Sequence, residues 1–350
     1  MSSEIKKVSA EEFGYKTRAG KIAPLFEGPN GGFYWISGNG SRNYLKPHQI
    51  KKGVVRLKVA GTKVVQATKA TKTAQKSAVD LQVAIHSDIG HVRKHNEDVT
   101  AHVSKDSWHV VGVFDGHGGV ETADIVAANL PEELRVICLM DSKRNAISNS
   151  AIQRCFVDFD EKMCRKPFVE QIGQSGSTAT CLCWHVPTQT IVSANVGDSR
   201  TIVFDAEGNI LLETRDHKPE DKNEAERIER AGGKITKVVG EPFRVNDSLS
   251  MSRSFGDFSA ANKRFKHGHL VGPITAEPDV IQIRPVTATS LWAVLASDGL
   301  WDVLTVREVV DHVLRVQATT DPKLIVQELV SLALSHKKCE DNVTAVVIKC

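Results

Sequence analysis

Hydrophobic residues beyond about position 80 fall into short apolar or alternating runs that are separated by polar turns. Alternation with a period of two, and apolar runs of four to seven residues, are typical of β-strands. The pattern predicts strands at residues 83–86, 108–114, 179–185, 190–195, 201–204, 210–213, 280–283, 291–296 and 343–348.

A second pattern, with apolar residues three and four positions apart, predicts helices. It occurs at residues 119–139, 145–165, 222–231, 306–317 and 323–335. Short turns between consecutive strands, such as residues 205–209, favour antiparallel sheets. The helices are grouped rather than alternating one per strand, which disfavours a parallel α/β fold and predicts an α+β fold built in layers. The apolar stripe of 306–317 is interpreted as core packing.

The first 79 residues differ from the rest in charge. They hold 15 Lys/Arg and 4 Asp/Glu, whereas residues 80–350 hold 30 and 38. We therefore divide the chain into a basic N-terminal extension, 1–79, and an acidic second domain, 80–350. Residues 31–36 and 42–45 flank a Gly/Asn turn and predict a hairpin. The stretch 51–76 is interpreted as a solvated linker or a pair of lysine-bearing edge strands, with a basic groove for nucleic acid or anionic lipid as the alternative.

Composition limits the function classes. With 41% hydrophobic and 25% charged residues, the chain has the composition of a folded soluble protein. No run reaches the roughly 18 apolar residues of a membrane span, and the N-terminus lacks a signal-peptide core. We expect a cytoplasmic protein, with a nuclear location left open by the basic arm. The seven cysteines are odd in number; Cys181 and Cys183 are predicted to be core thiols rather than a disulfide or zinc site.

Acidic residues recur where predicted strands begin or end. Asp115 follows 110–114 and precedes Gly-His-Gly-Gly, and Asp298 follows 291–296; the others are Asp198, Asp341 and the pair Glu97-Asp98. One such residue is usually a turn or helix cap. Five sites are harder to explain in that way, because carboxylates gathered at one edge would repel one another unless cations neutralised them. Oxygen ligands without a Cys/His cluster indicate Mg²⁺ or Mn²⁺.

From about Leu81 to the C-terminus the chain resembles the protein phosphatase 2C family of metal-dependent Ser/Thr phosphatases. Nine motifs occur in the order of the family. They lie at residues 87–98, 114–119, 176–179, 194–200, 216–219, 252–257, 275–279, 296–302 and 341–344. The resemblance implies a central sandwich of two antiparallel β-sheets flanked by helices on both faces, a four-layer αββα arrangement.

The resemblance also implies two Mn²⁺ or Mg²⁺ ions and a third, weaker one. Asp115 matches the carboxylate that bridges two ions, and Asp298 and Asp341 would complete the shell of one of them. The Gly116 carbonyl would bind the other ion, with Glu97 and Asp98 holding its waters. The third ion would use the carboxylates of Asp198, Asp298 and Asp302.

Arg93 matches the phosphate-binding arginine of the family, and His117 matches its proposed general acid. The implied reaction is hydrolysis of phosphoserine or phosphothreonine by a water or hydroxide that bridges the two ions. The alternative for Arg93 is a surface salt bridge, and for His117 a hydrogen bond to turn backbone. Arg200, Asp216 and Asp257 are interpreted as structural residues at turns.

Two departures from the family pattern stand out. Asp247 occupies a position where glycine is common after Arg-Val-Asn, although aspartate tolerates the turn conformation. Residues 218–270, which include the family's flap, depart locally from the family pattern. We expect this segment to determine substrate choice.

The expected partners are phosphoserine and phosphothreonine proteins, with no obligatory nucleic acid and no membrane span, and the protein is expected to be monomeric. One alternative function is a catalytically weak family member that acts as a regulatory binding scaffold. Another is nucleic-acid binding through the arm, which the absence of Phe, Tyr and Trp from 51–79 disfavours.

Overall fold

A computed structural model describes residues 81–142, 146–165, 168–259, 263–266, 269–283, 290–317 and 321–350, and the backbone of short strands between Phe13 and Arg56. The chain divides into two compact units, Met1–Lys76 and Ser77–Cys350. The boundary after residue 79 and the catalytic role of the second unit stay predictions.

The first unit contains two small antiparallel sheets. Their strands are β1 (Phe13–Lys16), β2 (Ile22–Pro24), β3 (Phe26–Glu27), β4 (Phe33–Ile36), β5 (Arg42–Tyr44) and β6 (Val54–Arg56). Strands β4 and β5 pair with Tyr34 opposite Tyr44, as the hairpin prediction required. Strand β6 pairs with β1. The rest of the basic stretch 51–76 lies outside the described residues.

The second unit is built on two antiparallel sheets. The first has the order β17-β10-β9-β11-β12-β20, with β8 also pairing with β9. Its strands are β8 (Asp98–Lys105), β9 (Trp108–His117), β10 (Gly176–Ser177), β11 (Ala179–His185), β12 (Thr190–Val196), β17 (Phe255–Gly256) and β20 (Asp279–Ile283).

The other large sheet has the order β14-β13-β21-β22-β7. Its strands are β7 (Gln82–Asp88), β13 (Arg200–Asp205), β14 (Ile210–Glu213), β21 (Leu291–Ala296) and β22 (Val343–Lys349). Two further hairpins join β15 (Ile235–Lys237) to β16 (Phe243–Val245) and β18 (Arg264–Lys266) to β19 (His269–Val271).

The helices lie at the positions that the 3.6-residue periodicity predicts, with two short additions, α3 and α5. They are α1 (Glu121–Ser142), α2 (Asn149–Met163), α3 (Phe168–Ile172), α4 (Lys222–Arg230), α5 (Asp298–Trp301), α6 (Val306–Val316) and α7 (Pro322–Ser335). Capping explains two of the starts. The Ser148 hydroxyl accepts a hydrogen bond from Ala151 N, and Thr305 forms a capping box with Glu308.

Alternation along the strands sorts their side chains between two faces. In β21, Trp292 and Val294 pack in the core shared with α6 and α7, whereas Ala293 and Leu295 pack in the core between the sheets. In β9, Val110 faces the core shared with α1 and α2, and Val111 faces the other sheet. A strand that is buried on both faces has a continuous run of apolar residues in its sequence. The four-layer αββα prediction is therefore confirmed.

Three local predictions are also confirmed. Cys181 and Cys183 are buried free thiols, and Asp247 adopts a φ of 59°, as the turn requires. Val309, Val310 and Val313 of α6 are fully buried in the core. Among the residues that the structure describes, no helix has the length and apolar character needed to span a membrane.

Candidate metal and phosphate site

The end of β9 carries Asp115, and three backbone contacts fix its position. Asp98, the first residue of β8, lies directly opposite Asp115 in the sheet register. Gly116 N donates to the Glu97 carbonyl at 3.1 Å. Asp115 N donates to the Thr178 hydroxyl at 3.1 Å. The predicted ligands of the first sheet are thus gathered at one strand pair.

Asp298 enters this site from the second sheet, where β21 ends and α5 begins. The neighbouring Ser297 hydroxyl donates to Asp98 Oδ2 at 2.8 Å and accepts from Thr344 N at 3.1 Å. The serine therefore joins the end of β21 to the beginnings of β8 and β22. Asp302 lies one helical turn beyond Asp298, and its N–H donates to the Asp298 carbonyl at 2.8 Å.

Asn342 holds Asp341 and the loop that carries Arg93 in place. Its amide nitrogen donates to the carbonyls of Ile89 at 2.8 Å and His95 at 3.1 Å, and its amide oxygen accepts from Glu97 N at 2.9 Å. In the sequence, this asparagine stands out only as part of the motif at 341–344. Its position directly before β22 gives no sign of a contact with a loop about 250 residues away.

Two predicted ligands are paired with cations of the chain itself. Arg93 donates to Asp341 Oδ2 at 2.5 Å, and the Arg93 side chain is 50% exposed. Lys218 donates to Asp198 Oδ2 at 2.6 Å, while the buried Asp198 Oδ1 has no hydrogen-bond partner. The salt-bridge alternative for Arg93 thus describes a real contact, but its partner is a predicted metal ligand.

The carboxylates are close enough to affect one another's ionisation. Burial raises the pKa of Asp115 well above its usual range, and the charges of Asp298, Asp98, Asp198 and Asp341 raise it further. Charged neighbours in a low-dielectric site disfavour ionisation of each carboxyl group.

The same effect reaches the other acidic residues of the site. Burial, followed by the charges of Asp198, Asp302 and Asp341, raises the pKa of Asp298 well above its usual range. Burial raises the pKa of Asp98 to about 6, although hydrogen bonds oppose the change. Burial also raises the pKa of Asp302. The strand-end carboxylates, whose convergence the sequence could only suggest, therefore lie within electrostatic range of one another.

The donor set suits a hard divalent cation. Oxygen atoms of carboxylates and of the Gly116 carbonyl are the ligands that Mg²⁺ and Mn²⁺ prefer, and Asp198 Oδ1 is a buried acceptor without a donor. Within the described ranges, no three His, Cys, Asp or Glu side chains already form a ligand group.

His117, the last residue of β9, is bonded to a side chain rather than to turn backbone. Its Nε2 lies 2.8 Å from Asp257 Oδ2. Burial lowers the pKa of His117, but the hydrogen bond and charge of Asp257, together with the charges of Asp198 and Glu97, raise the pKa overall. The interpretation of Asp257 as a turn residue alone is thus incomplete. Arg200 and Asp216 form a two-pronged ion pair with both nitrogen–oxygen distances at 2.9 Å, as expected for structural residues.

Comparison with known proteins identifies the family. The Protein phosphatase 2C family profile matches residues 85–343. The chain belongs to the protein phosphatase 2C family of Ser/Thr phosphatases, as its motifs predicted.

Relatives of known sequence support this assignment. "Protein phosphatase 1L" of Bos taurus is 32% identical over 276 residues, which cover 76% of this chain and 72% of that protein. "Probable protein phosphatase 2C 22" of Arabidopsis thaliana is 33% identical over 242 residues, covering 68% of this chain and 57% of that protein. The match thus spans less than two thirds of the Arabidopsis relative.

Solved structures share the fold. A Caenorhabditis elegans structure titled "Structure of a C.elegans sex determining protein" has a TM-score of 0.65 and 26% identity, and the match covers 77% of this chain and 65% of that one. A phosphatase from Toxoplasma gondii has a TM-score of 0.64 at 20% identity, over 77% of this chain and 92% of that one. At 20% identity, the similarity to the Toxoplasma gondii structure shows only that the two proteins share a fold.

Proposed function

We propose that this protein hydrolyses phosphoserine and phosphothreonine in other proteins and that it depends on two Mn²⁺ or Mg²⁺ ions. The observation that carries the proposal is the cluster of buried carboxylates around Asp115, which raise one another's pKa. Such a cluster is costly unless it binds cations. Membership of the protein phosphatase 2C family supplies the class of reaction, which is phosphate ester hydrolysis.

The proposed ligands of the two principal ions are the carboxylates of Asp115, Asp298 and Asp341 and the carbonyl of Gly116, with Glu97 and Asp98 acting through water. Asp198 and Asp302, together with Asp298, would serve a third ion. When bound, such ions offset the charge of the phosphate and lower the pKa of water toward neutrality. The chain contributes by holding these oxygens on the ends of paired strands, where backbone hydrogen bonds limit their movement.

Arg93 is the proposed ligand of the phosphate group. Its guanidinium is always charged and offers two parallel donors to phosphate oxygens. The side chain lies at the edge of the site, where it is half exposed, and its present partner is Asp341. Burial lowers the pKa of Arg93, but Asp341, Asp298 and Glu97 together raise the pKa. The Arg93 guanidinium therefore stays protonated.

His117 is the proposed general acid. The leaving serine or threonine oxygen needs a proton, because an alkoxide is a poor leaving group. An imidazole with a raised pKa holds a proton over more of the neutral pH range than an ordinary histidine does. The charge of Asp257 stabilises the protonated ring.

Metal removal tests the proposed function directly. We expect the protein to release phosphate from phosphoserine and phosphothreonine peptides in Mn²⁺ or Mg²⁺, to lose this activity in EDTA, and to regain it when Mn²⁺ is added back. Colorimetric phosphate release measures each step. Activity that persists in chelator would contradict the metal-dependent mechanism. Peptide binding without hydrolysis under every metal condition would instead favour the scaffold alternative.

The Arg93→Ala variant tests phosphate binding. Loss of the two-pronged donor should raise KM for a phosphopeptide by about 10-fold or more and weaken inhibition by inorganic phosphate, with a smaller change in kcat. Lys94→Ala is the matched control, because Lys94 is a neighbouring exposed cation. Equal effects of the two substitutions on KM would show that Arg93 acts only through general surface charge.

A further inference from the structure

His117 and Asp257 are brought together by a strand of two residues. In β10, Gly176 lies opposite His117 of β9 on one side and opposite Gly256 of β17 on the other. Asp257 follows β17 directly, so the two side chains approach each other across Gly176. This arrangement explains how residues 140 positions apart meet.

Gly176 provides the space for this pair. A Cβ atom at this position would lie 2.1 Å from Asp257 Oδ2 and 2.3 Å from His117 Nε2. Real Cβ atoms do not approach other atoms so closely, because the repulsion at these distances exceeds any contact energy. The absence of a side chain at Gly176 is therefore a condition for the hydrogen bond between His117 and Asp257.

The carboxylate of Asp257 has a fixed place. The side chain is 2% exposed; Ser254 Oγ donates to its Oδ2 at 2.6 Å, and its own N–H donates to the Ser175 carbonyl at 3.2 Å. A φ of 52° at Asp257 turns the chain immediately after β17. A carboxylate held in this way can orient a neighbouring ring, since its own rotation is restricted.

The pairing leaves the two ring nitrogens of His117 in different situations. Nε2 is engaged by Asp257, whereas the buried Nδ1 has no hydrogen-bond partner in the described residues. The His117 side chain is 25% exposed, and His117 follows Asp115 and Gly116 of the proposed metal site directly in the chain. A carboxylate on one ring nitrogen fixes the orientation of the other nitrogen.

We propose that Asp257 is a positioning residue that holds Nε2 of His117 and thereby presents Nδ1 to the leaving oxygen of the substrate. This inference rests on the proposed phosphatase function. In the step concerned, water oxygen bonds to phosphorus, the bond between phosphorus and the serine or threonine oxygen breaks, and that oxygen takes the proton from Nδ1. The neutral ring then recovers the proton that the attacking water released, while the Nε2 proton stays on the hydrogen bond to Asp257.

The test compares Asp257→Asn with Asp106→Asn. Both residues are aspartates with positive φ, of 52° and 53°, but Asp106 is exposed in the turn between β8 and β9 and pairs with Arg135. Asp257→Asn should reduce kcat for a phosphothreonine peptide by about 10²-fold and for 4-nitrophenyl phosphate by less than about 10-fold, because a good leaving group needs little protonation. Asp106→Asn should leave both rates near the wild-type values.

Two further kinetic outcomes decide whether Asp257 acts through His117. The double variant His117→Ala/Asp257→Asn should be no slower than His117→Ala alone, since the positioning residue acts only through the ring. Equal losses on the two substrates, or losses that multiply in the double variant, would overturn the inference and assign Asp257 a general structural role.

A spectroscopic readout separates this inference from the proposed function. In the ¹⁵N-histidine spectrum of the full chain, the Nε2 proton of His117 should give a low-field signal, which His117→Gln assigns by its loss. Asp257→Asn and Gly176→Ala should move that signal upfield, whereas Asp106→Asn should not. An unchanged signal in Asp257→Asn would overturn the pairing even if the enzyme is active. If the wild-type chain releases no phosphate, the proposed function fails, and the spectrum still decides the pairing.

Discussion

Replacing Asp115 by asparagine should reduce phosphate release by at least about 10³-fold while leaving the metal-free protein no less stable than the wild type. Both effects follow from the charge of this residue. Asp115 is buried beside four other carboxylates that raise its pKa. Asparagine has nearly the same shape but no charge, so it removes repulsion in the folded chain and also removes a proposed bridging ligand.

Thermal unfolding with and without Mn²⁺ separates these effects. Wild-type protein should gain about 5 °C in Tm when Mn²⁺ is in hundredfold excess over its Kd, because the ion binds only the folded chain. Asp115→Asn should lose most of that gain. Asp311→Asn, at a half-exposed carboxylate on α6, is the control and should keep both the gain and the activity. Full activity in Asp115→Asn would contradict the proposed site.

The apolar strands of the second unit could be predicted from sequence almost to the residue. The runs at 179–185 and 291–296 have the predicted bounds, because burial on both faces leaves little ambiguity about where an apolar run stops. The run at 210–213 also has the predicted bounds, although most of its residues are exposed. Strand β8 was missed. Among the described strands it pairs with β9 alone, and it is partly exposed over most of its length, although Val99, Ala101 and Val103 alternate with polar residues along it. The two-residue strands β10 and β17 are too short to leave any pattern.

In the candidate site, too, features that depend on local sequence could be predicted, whereas features that depend on tertiary contacts could not. That Asp115 and Asp298 stand at strand ends could be read from the apolar runs before them. Which side chains meet there depends on strand order, and no short-range pattern encodes that order. The partner of His117 is 140 residues away and that of Arg93 is 248 residues away. Asp257 therefore looked like a turn residue, although its carboxylate is bonded to the proposed acid.

A buried ion pair supports the loop that carries Asp257. Lys263 donates to Asp160 Oδ2 at 2.8 Å and to the Ser254 carbonyl at 3.1 Å. Asp160 Oδ1 accepts from Gly256 N at 2.8 Å. The lysine and aspartate side chains are only 1% and 4% exposed. Burial raises the pKa of Asp160, and the charge of Lys263 opposes this effect. The pair thus ties helix α2 to the segment that ends at Asp257.

Removing one member of this ion pair should strongly destabilise the folded protein. Lys263→Met should lower the free energy of unfolding by about 3–5 kcal/mol, because it leaves the Asp160 carboxylate buried without its counter-ion. Asp160→Asn/Lys263→Met should recover part of that loss, since no buried charge remains. The control is Arg307→Met, in an exposed pair with Asp311, which should change stability by no more than about 0.5 kcal/mol. Urea unfolding measures all three variants. If Lys263→Met cost no more than Arg307→Met, the buried pair would not be holding α2 to this segment.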